Sequence, residues 1–258
     1  MKLGAVEYLN AEPLVWPLEH GIIKHDHEII RAVPSELVTM LENGDVDCAL
    51  APVVALLDNP KLVPVPDIAI ATRGAIASIL VFHKGPFEEL TTIWLDPSSR
   101  TSNLLVKVLR DRAAAEPCEF PLVGRDEIPP FKNLPQNTGR LIIGDYALRL
   151  GAKGEPGFEI TDLGELWRAK TNHPFTFARW IARNGDIAGE IKDILKAARD
   201  WSMLNMHEII GPLAGKFDFS EELVDRYLRV NVVYMHGPRE QAGEREFMIL
   251  AGNLKNKN

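Results

Sequence analysis

A turn rich in hydroxyl groups is the sharpest chemical feature of the sequence. It reads DPSSRTS at 96–102, follows a short apolar stretch at 93–95 and precedes residues with helical spacing. The first N–H groups of a helix have no partner within the helix, and together with the helix dipole they attract anions. The pattern therefore predicts an anion-binding site, whose members are Ser98, Ser99, Arg100, Thr101 and Ser102. The simpler alternative is a single hydroxyl that caps the helix.

Polar residues also follow three other apolar stretches that have the character of strands. Asn10 comes directly after the first of them, and Gly144 with Asp145 comes after another. Arg73 and Ser78 enclose a glycine-containing turn, RGAIAS. Because ligands of open α/β sheets bind beyond the carboxyl ends of the strands, we expect all five residues in a binding site. The alternatives are a turn asparagine, a hairpin with an incidental serine, and Asp145 as a helix N-cap.

The sequence lacks the common motifs for nucleotides, dinucleotides, metals and serine hydrolases. It contains no GxGxxG, no GxxxxGK[ST] and no GxSxG. His25 and His27 form an H-x-H pair without a third ligand nearby, and Cys48 and Cys118 are not part of a CxxC motif. We therefore expect no metal site, and we expect the Cys48 thiol to be buried and inert.

Composition narrows the class of protein further. The chain has 258 residues with 29 Lys+Arg and 36 Asp+Glu, a net charge of −7, and 46% hydrophobic residues. This apolar content excludes a disordered chain, and the acidic balance argues against a nucleic-acid partner, which requires a basic face. No apolar run reaches the roughly 18 residues of a membrane span, and the N-terminal segment lacks the apolar core of a secretory signal. We therefore expect a cytoplasmic globular protein with no membrane partner.

Alternating helix and strand signals predict an α/β fold. The apolar stretches that indicate strands lie at 2–6, 28–33, 47–51, 67–73, 77–83, 93–95, 119–123 and 140–143. Helical spacing of apolar residues predicts helices at 13–19, 34–43, 53–57, 103–115, 177–182, 187–206, 220–228 and 241–254, and a short helix is expected directly after Asp145. A loop rich in proline and polar residues is expected at 124–138.

We expect these elements to form two α/β lobes with a cleft between them. The predicted first lobe comprises residues 1–84 and 176–258, and the second comprises residues 85–175. The chain would cross between the lobes near 83–90 and 173–177, where it is extended and contains proline. One continuous sheet is the competing arrangement.

Seven segments spread in order over the chain resemble the chorismate dehydratase family. They are YLNAEPL (8–14), DVDCALAPV (45–53), RGAIASILVF (73–82), LDPSSRTS (95–102), IGDYAL (143–148), DLGELW (162–167) and HPFTFARW (173–180). The resemblance implies a two-lobed α/β fold like that of type II periplasmic binding proteins, with a central cleft, used by a cytoplasmic enzyme. The related 1,4-dihydroxy-6-naphthoate synthases have a different N-terminal motif, rich in Ser, Pro and Asp.

The resemblance also implies a reaction and a site. Chorismate would lose water to give 3-[(1-carboxyvinyl)oxy]benzoate, the opening step of the futalosine route to menaquinone, and aromatisation would drive the reaction without a cofactor. Asn10 and Ser78 match the family's catalytic asparagine and serine, and residues 98–102 match a turn that holds a carboxylate. Pro52 stands where the family often has a small polar residue, which argues against a ligand role at that position.

Two questions stay open at the level of the sequence. No His or carboxylate in these motifs is an evident general base, so the proton acceptor is either the substrate's own enolpyruvyl carboxylate or Glu12. The protein is either a chorismate dehydratase, with this small molecule as its partner, a related naphthoate synthase, or a non-catalytic binding protein for a small anion. The sequence allows a monomer or a homodimer.

Overall fold

Two β-sheets organise the part of the chain that the computed structural model describes, residues 1–113 and 117–255. The first sheet contains β1 (Lys2–Val6), β2 (Glu28–Ala32), β3 (Cys48–Pro52), β4 (Val63–Thr72), β9 (Phe175–Ala182) and β10 (Val233–Met235). The second contains β5 (Ile79–Lys84), β6 (Thr92–Trp94), β7 (Thr138–Ile143) and β8 (Glu159–Asp162). The strand orders are β10-β4-β9-β3-β1-β2 and β6-β7-β5-β8, so the alternative of one continuous sheet is wrong.

Helices pack on both sheets and connect most of the strands. They are α1 (Glu12–Glu19), α2 (Pro34–Asn43), α3 (Ala55–Asp58), α4 (Thr101–Ala113), α5 (Gly144–Lys153), α6 (Leu163–Thr171), α7 (Gly185–Leu204), α8 (Met206–Phe217), α9 (Glu221–Arg226) and α10 (Pro238–Lys255). A single π-helical turn, Tyr227–Asn231, follows α9. In the two described ranges, no helix combines the length and the apolar character that crossing a membrane requires.

The core includes residues of both sheets, and the central strands of the first sheet are buried within it. β1 pairs in parallel with β2 and β3, and β9 lies antiparallel between β3 and β4. All of β3, with the sequence CALAP, is buried. The Cys48 side chain is fully buried, as expected, and burial raises the pKa of its thiol.

Residues 177–182 form part of a strand, and the helix predicted there is wrong. They belong to β9, whose sequence FTFARWIA is rich in the aromatic and β-branched residues that favour strands. β9 has a hydrogen-bonded neighbour on each side, so its apolar residues are buried in the middle of the sheet. The spacing of apolar residues cannot distinguish a helix from a short strand that is buried on both faces.

The second difference concerns the strand predicted at 119–123. It is reduced to a single bridge between Glu119 and Thr92, and Pro121, which has no N–H, cannot extend the pairing as a donor. α4 begins earlier than the predicted start at 103, and residues 114–115 of that predicted helix lie outside the described residues. The sequence pattern also failed to predict α6, α8, β8 and β10.

The chain passes from the first sheet to the second between β4 and β5, and it returns between β8 and β9. The first crossing therefore occupies residues 73–78 and does not lie near 83–90, because β5 pairs with β7 and β8. Residues 79–84 therefore belong to the second sheet. This arrangement places the RGAIAS segment, with Ser78, at the junction of the two sheets.

Candidate active site

A cavity lies between the two sheets, and elements of both sheets line it. We call it the cleft cavity; the space between its walls is about 490 Å³ when the open solvent at its mouth is included. Its polar lining consists of Tyr8, Asn10, Ser78, Ser99, Thr101 and Ser102. The rest of its lining consists of Val6, Pro34, Pro52, Ile70, Ile79, Ile143, Gly144, Phe177 and Ala178. None of these described residues carries a charged side chain.

Asn10 reaches the cleft cavity from a turn at the carboxyl end of β1. The backbone bends into a 3₁₀ turn at Leu9–Ala11 soon after the strand, and Asn10 is buried there. Its Oδ1 atom has no hydrogen-bond partner among the described residues. Because buried polar atoms are almost always hydrogen-bonded, this acceptor is available to a ligand.

Ser78 reaches the cleft cavity from the second sheet, at the start of β5. The preceding residue, Ala77, has a φ of 63°, which is uncommon for a residue with a side chain. The Asp162 carboxylate holds this loop by accepting the N–H groups of Ile76 at 3.1 Å and Ala77 at 2.7 Å. The Gly144 N–H donates to the Ser78 carbonyl at 2.8 Å. Two other segments therefore fix the position of Ser78.

Asp162 links the Ser78 loop to the start of α6. The same carboxylate caps that helix by accepting the N–H groups of Gly164 and Glu165. Burial raises the pKa of Asp162, and its four backbone hydrogen bonds oppose that rise. One buried side chain thus ties the loop to a helix, a role that the sequence pattern did not indicate.

Tyr227 lies behind Ser78 and is a site residue that the sequence reasoning missed. Its hydroxyl donates to Ser78 Oγ at 2.7 Å, and both residues are only 1% exposed. The two residues are 149 positions apart in the chain, so no local pattern indicates their contact.

The hydroxyls at the start of α4 have different roles. Ser99 Oγ accepts the N–H of Ser102 at 3.1 Å and so caps the helix. Ser98 Oγ donates to Asp96 Oδ1 at 2.5 Å and is not among the described residues of the lining. Thr101 Oγ1 is buried in the lining without a hydrogen-bond partner among the described residues. One hydroxyl therefore caps the helix, while another is left for a ligand.

Neither of the two arginines expected at the site lines the cleft cavity. Arg73 Nε donates to Oε1 of buried Glu240 at 2.8 Å, and more than half of the arginine side chain is exposed. Arg100 Nη2 lies 3.5 Å from Thr39 Oγ1, and Arg100 borders a separate groove. The geometry gives no support to a contact between these guanidinium groups and a ligand in the cavity.

Gly144 and Asp145 begin α5, where β7 ends. Gly144 has a φ of 70°, and a Cβ there would meet the Tyr8 ring at 3.0 Å, so the close approach of the two segments requires glycine. Asp145 is not the N-cap, because Ile143 holds that position without a side-chain hydrogen bond. The Oδ1 atom of Asp145 instead accepts the Leu9 N–H at 3.1 Å, which joins α5 to the turn after β1.

Replacing Asp145 with Asn is expected to change how stability depends on pH. Burial raises the pKa of Asp145 to about 6, and the charge of Glu12 adds to this rise. The folded protein therefore binds this proton more tightly than the unfolded chain does, where an Asp titrates near 4. This stabilising contribution is complete below about pH 4 and is lost as the pH rises through about 6. The free energy of unfolding of Asp145→Asn, relative to wild type, should increase by about 2 kcal/mol between about pH 4 and pH 7.

Urea unfolding at the two pH values measures this difference. Asp193→Asn is the matched control, because Asp193 is exposed on α7 and forms no ion pair among the described residues, and its free energy of unfolding should stay within about 0.5 kcal/mol of wild type at both pH values. If the Asp145→Asn difference were equally independent of pH, the carboxyl group would not be titrating in this range.

Glu12, the alternative proton acceptor, is buried among cations. Its Oε1 lies 2.9 Å from Lys216 Nζ and 3.2 Å from Arg31 Nη2, and the residue is fully buried. Glu12 is not among the described residues that line the cleft cavity. A carboxylate outside the lining, paired with two cations, is badly placed to take a proton from a ligand.

The described residues offer no ready site for a metal ion. In residues 1–113 and 117–255, no group of three His, Cys, Asp or Glu side chains has an arrangement that could hold one. His25 and His27 stack with ring centroids 5.6 Å apart, and the His27 N–H donates to His25 Nδ1. The H-x-H pair therefore stabilises a local turn.

Comparison of the sequence with known families identifies its relatives. The model of a family described as menaquinone biosynthesis matches residues 1–253. The chain belongs to this family. The chorismate dehydratase of Thermus thermophilus is 29% identical over 242 residues, which cover 88% of this chain and 86% of that protein. The chorismate dehydratase of Campylobacter jejuni is 31% identical over 185 residues, which cover 70% of this chain and 66% of that protein.

This member of the menaquinone biosynthesis family has the fold of periplasmic binding proteins. A protein of Archaeoglobus fulgidus has a TM-score of 0.76 at 15% identity, covering 98% of this chain and 97% of that one. The periplasmic aliphatic sulphonate binding protein of Escherichia coli has a TM-score of 0.66 at 13% identity. This match covers 99% of this chain and 92% of that one. A ligand-binding component of an ABC-type import system from Staphylococcus aureus has a TM-score of 0.66 at 14% identity. This match covers 99% of this chain and 91% of that one. These likenesses concern the fold alone, and they confirm the predicted fold class.

Proposed function

We propose that this chain is a chorismate dehydratase, a carbon–oxygen lyase that removes water from chorismate to give 3-[(1-carboxyvinyl)oxy]benzoate in the futalosine route to menaquinone. Two relatives that carry the name chorismate dehydratase support the proposal. The observation that carries it is the composition of the cleft cavity, in which Asn10, Ser78 and Thr101 share a lining without charged side chains.

The start of α4 is the part of the cavity best suited to a carboxylate of the substrate. The Ser102 N–H is already bound to Ser99 Oγ, but the Thr101 hydroxyl is a hydrogen-bond donor, and the helix dipole favours negative charge there. Ile70 and Phe177 belong to the apolar lining, which suits the carbon ring. A dianion can therefore bind to an acidic protein, because the binding groups are local dipoles and donors.

The reaction requires two bonds at neighbouring ring carbons to break. The carbon that bears the enol ether loses its proton, its C–H electron pair becomes a ring double bond, and the C–O bond of the neighbouring hydroxyl breaks. The lining contains no carboxylate and no imidazole among the described residues, so the enolpyruvyl carboxylate of the substrate takes the proton. That proton and the departing hydroxide together form the water that is released.

Asn10 and Ser78 position the groups that react. Both side chains are buried, and hydrogen bonds from the turn after β1 to Asp145, and from Gly144 to Ser78, hold the segments that carry them in place. In this arrangement they orient the leaving hydroxyl and the enolpyruvyl carboxylate.

The test is to incubate the purified protein with chorismate and to follow the products by chromatography and mass spectrometry. The expected result is an aromatic product that is lighter than chorismate by one water. If chorismate were unchanged while another small anion bound tightly, the protein would be a non-catalytic binding protein. If chorismate were inert and a naphthoate precursor were converted, it would be a naphthoate synthase.

A further inference from the structure

The hydroxyl of Tyr227 makes one hydrogen bond that decides how Ser78 can act. It donates to Ser78 Oγ at 2.7 Å in a buried environment. Ser78 lines the cleft cavity, whereas Tyr227 is not among the described residues of the lining. Tyr227 therefore contacts a residue of the site without being in a position to contact a ligand there.

The hydrogen bond from Tyr227 leaves the hydrogen of the Ser78 hydroxyl free for another acceptor. A phenol has a single hydrogen, and Tyr227 gives it to Ser78 Oγ. A serine hydroxyl has one hydrogen and two acceptor sites, so Ser78 keeps its own hydrogen for another acceptor. Because Ser78 faces the cleft cavity, that hydrogen is available to a ligand, and the bond from Tyr227 polarises it as a donor.

The π-helical turn places Tyr227 and also holds the loop before Ser78. Tyr227 is the first residue of this turn, and Asn231 is the last. The Asn231 side chain donates from Nδ2 to the Ala75 carbonyl at 2.9 Å. The turn therefore contacts the Ser78 loop at two points, and single π-helical turns of this kind are frequent at functional sites.

The environment of the phenol favours its neutral form. Burial raises the pKa of Tyr227, and the charge of Asp145 adds to the rise. At neutral pH the hydroxyl therefore keeps its proton, so it is a donor and does not act as a base.

We propose that Tyr227 is a positioning residue, which directs the Ser78 hydroxyl as a hydrogen-bond donor to the leaving hydroxyl of the substrate. This inference rests on the function proposed above. As the C–O bond breaks, its electron pair moves to the departing oxygen, and the Ser78 O–H stabilises the growing charge there. Tyr227 and Ser78 both keep their protons, and the proton that completes the water comes from the substrate's carboxylate.

The experiment is a double-mutant cycle on Tyr227 and Ser78 with chorismate as substrate. Tyr227→Phe should lower kcat by about 10-fold to 100-fold and change KM by less than about 2-fold, because the ligand-binding groups stay in place. In the Ser78→Ala background, Tyr227→Phe should have no further effect, because Tyr227 acts through Ser78.

Tyr234→Phe is the matched control. Tyr234 is also buried, its hydroxyl has no partner among the described residues, and it is not part of the described lining. Removing the Tyr234 hydroxyl should leave kcat within about 2-fold of wild type. Thermal melting of every variant shows that the compared proteins are folded.

The outcomes separate this inference from the proposed function. A wild-type protein that does not convert chorismate contradicts the function. An active wild type with an equally active Tyr227→Phe variant contradicts the role of Tyr227. The role is also contradicted if Tyr227→Phe lowers kcat by the same factor with and without Ser78, because Tyr227 would then act independently.

Discussion

Ser78→Ala is expected to lower kcat for chorismate by about 100-fold or more. The substitution removes the only hydroxyl that the Ser78 loop and β5 contribute to the described lining of the cleft cavity, and with it the donor that faces the leaving group. It also leaves the Tyr227 hydroxyl without its acceptor, which should cost about 1–3 kcal/mol of stability, so the variant should stay folded. Steady-state kinetics together with thermal melting measure both effects.

Ser202→Ala is the matched control for this prediction. Ser202 is also fully buried and its Oγ has no partner among the described residues, but it lies in α7 and is not part of the described lining. Removing the Ser202 hydroxyl should change kcat by less than about 2-fold. If Ser78→Ala were as active as Ser202→Ala, the Ser78 hydroxyl would have no role in the reaction.

Gly243→Ala is expected to destabilise the fold by about 3 kcal/mol. A Cβ at this position in α10 would overlap the carbonyl oxygen of Pro174, a backbone atom that cannot turn away as a side chain does. The same carbonyl accepts the buried Trp167 Nε1–H at 3.0 Å, so a shift of the chain would also break that hydrogen bond. Pro174 immediately precedes β9, where the chain returns to the first sheet.

Gly252→Ala provides the comparison in the same helix. A Cβ at Gly252 would meet nothing within 4 Å, and alanine favours a helix over glycine by about 0.5–1 kcal/mol. Urea unfolding of the two variants should therefore give free-energy changes of opposite sign. Equal stability of Gly243→Ala and wild type would mean that α10 does not pack against the return crossing as described.

The local parts of the site could be predicted from the sequence because they depend on neighbours in the chain. Asn10 follows an apolar strand, and the hydroxyl-rich turn precedes a long helix, so each was expected at the end of an element. The Ser99 hydroxyl that caps the helix and the buried Thr101 hydroxyl both belong to this turn.

The remaining parts depend on contacts between distant segments. Arg73 was expected to hold an anion, but it pairs with Glu240, which is 167 positions away. Tyr227 was missed because its contact with Ser78 spans 149 positions. β9 was predicted as a helix because its partners on both sides, which make it a buried strand, are not visible in its own sequence.

The net charge of −7 is a property of the whole chain and does not predict the charge of the binding site. It argues against nucleic-acid partners, but it does not describe the cleft cavity, whose described lining is uncharged. Two of the cations named above are paired with other carboxylates, Arg73 with Glu240 and Lys216 with Glu12. The site therefore depends on hydroxyls, an amide and a helix terminus to bind an anion.

A crystal structure of the Ser78→Ala variant with chorismate tests the central claim most directly, because this slow variant keeps its substrate long enough to be seen. We expect chorismate in the cleft cavity, with one carboxylate within hydrogen-bond distance of Thr101 Oγ1 and the first turn of α4. The ring hydroxyl should face position 78 and the Asn10 amide. Chorismate bound outside this cavity, or a cavity without chorismate at a saturating concentration, would contradict the account.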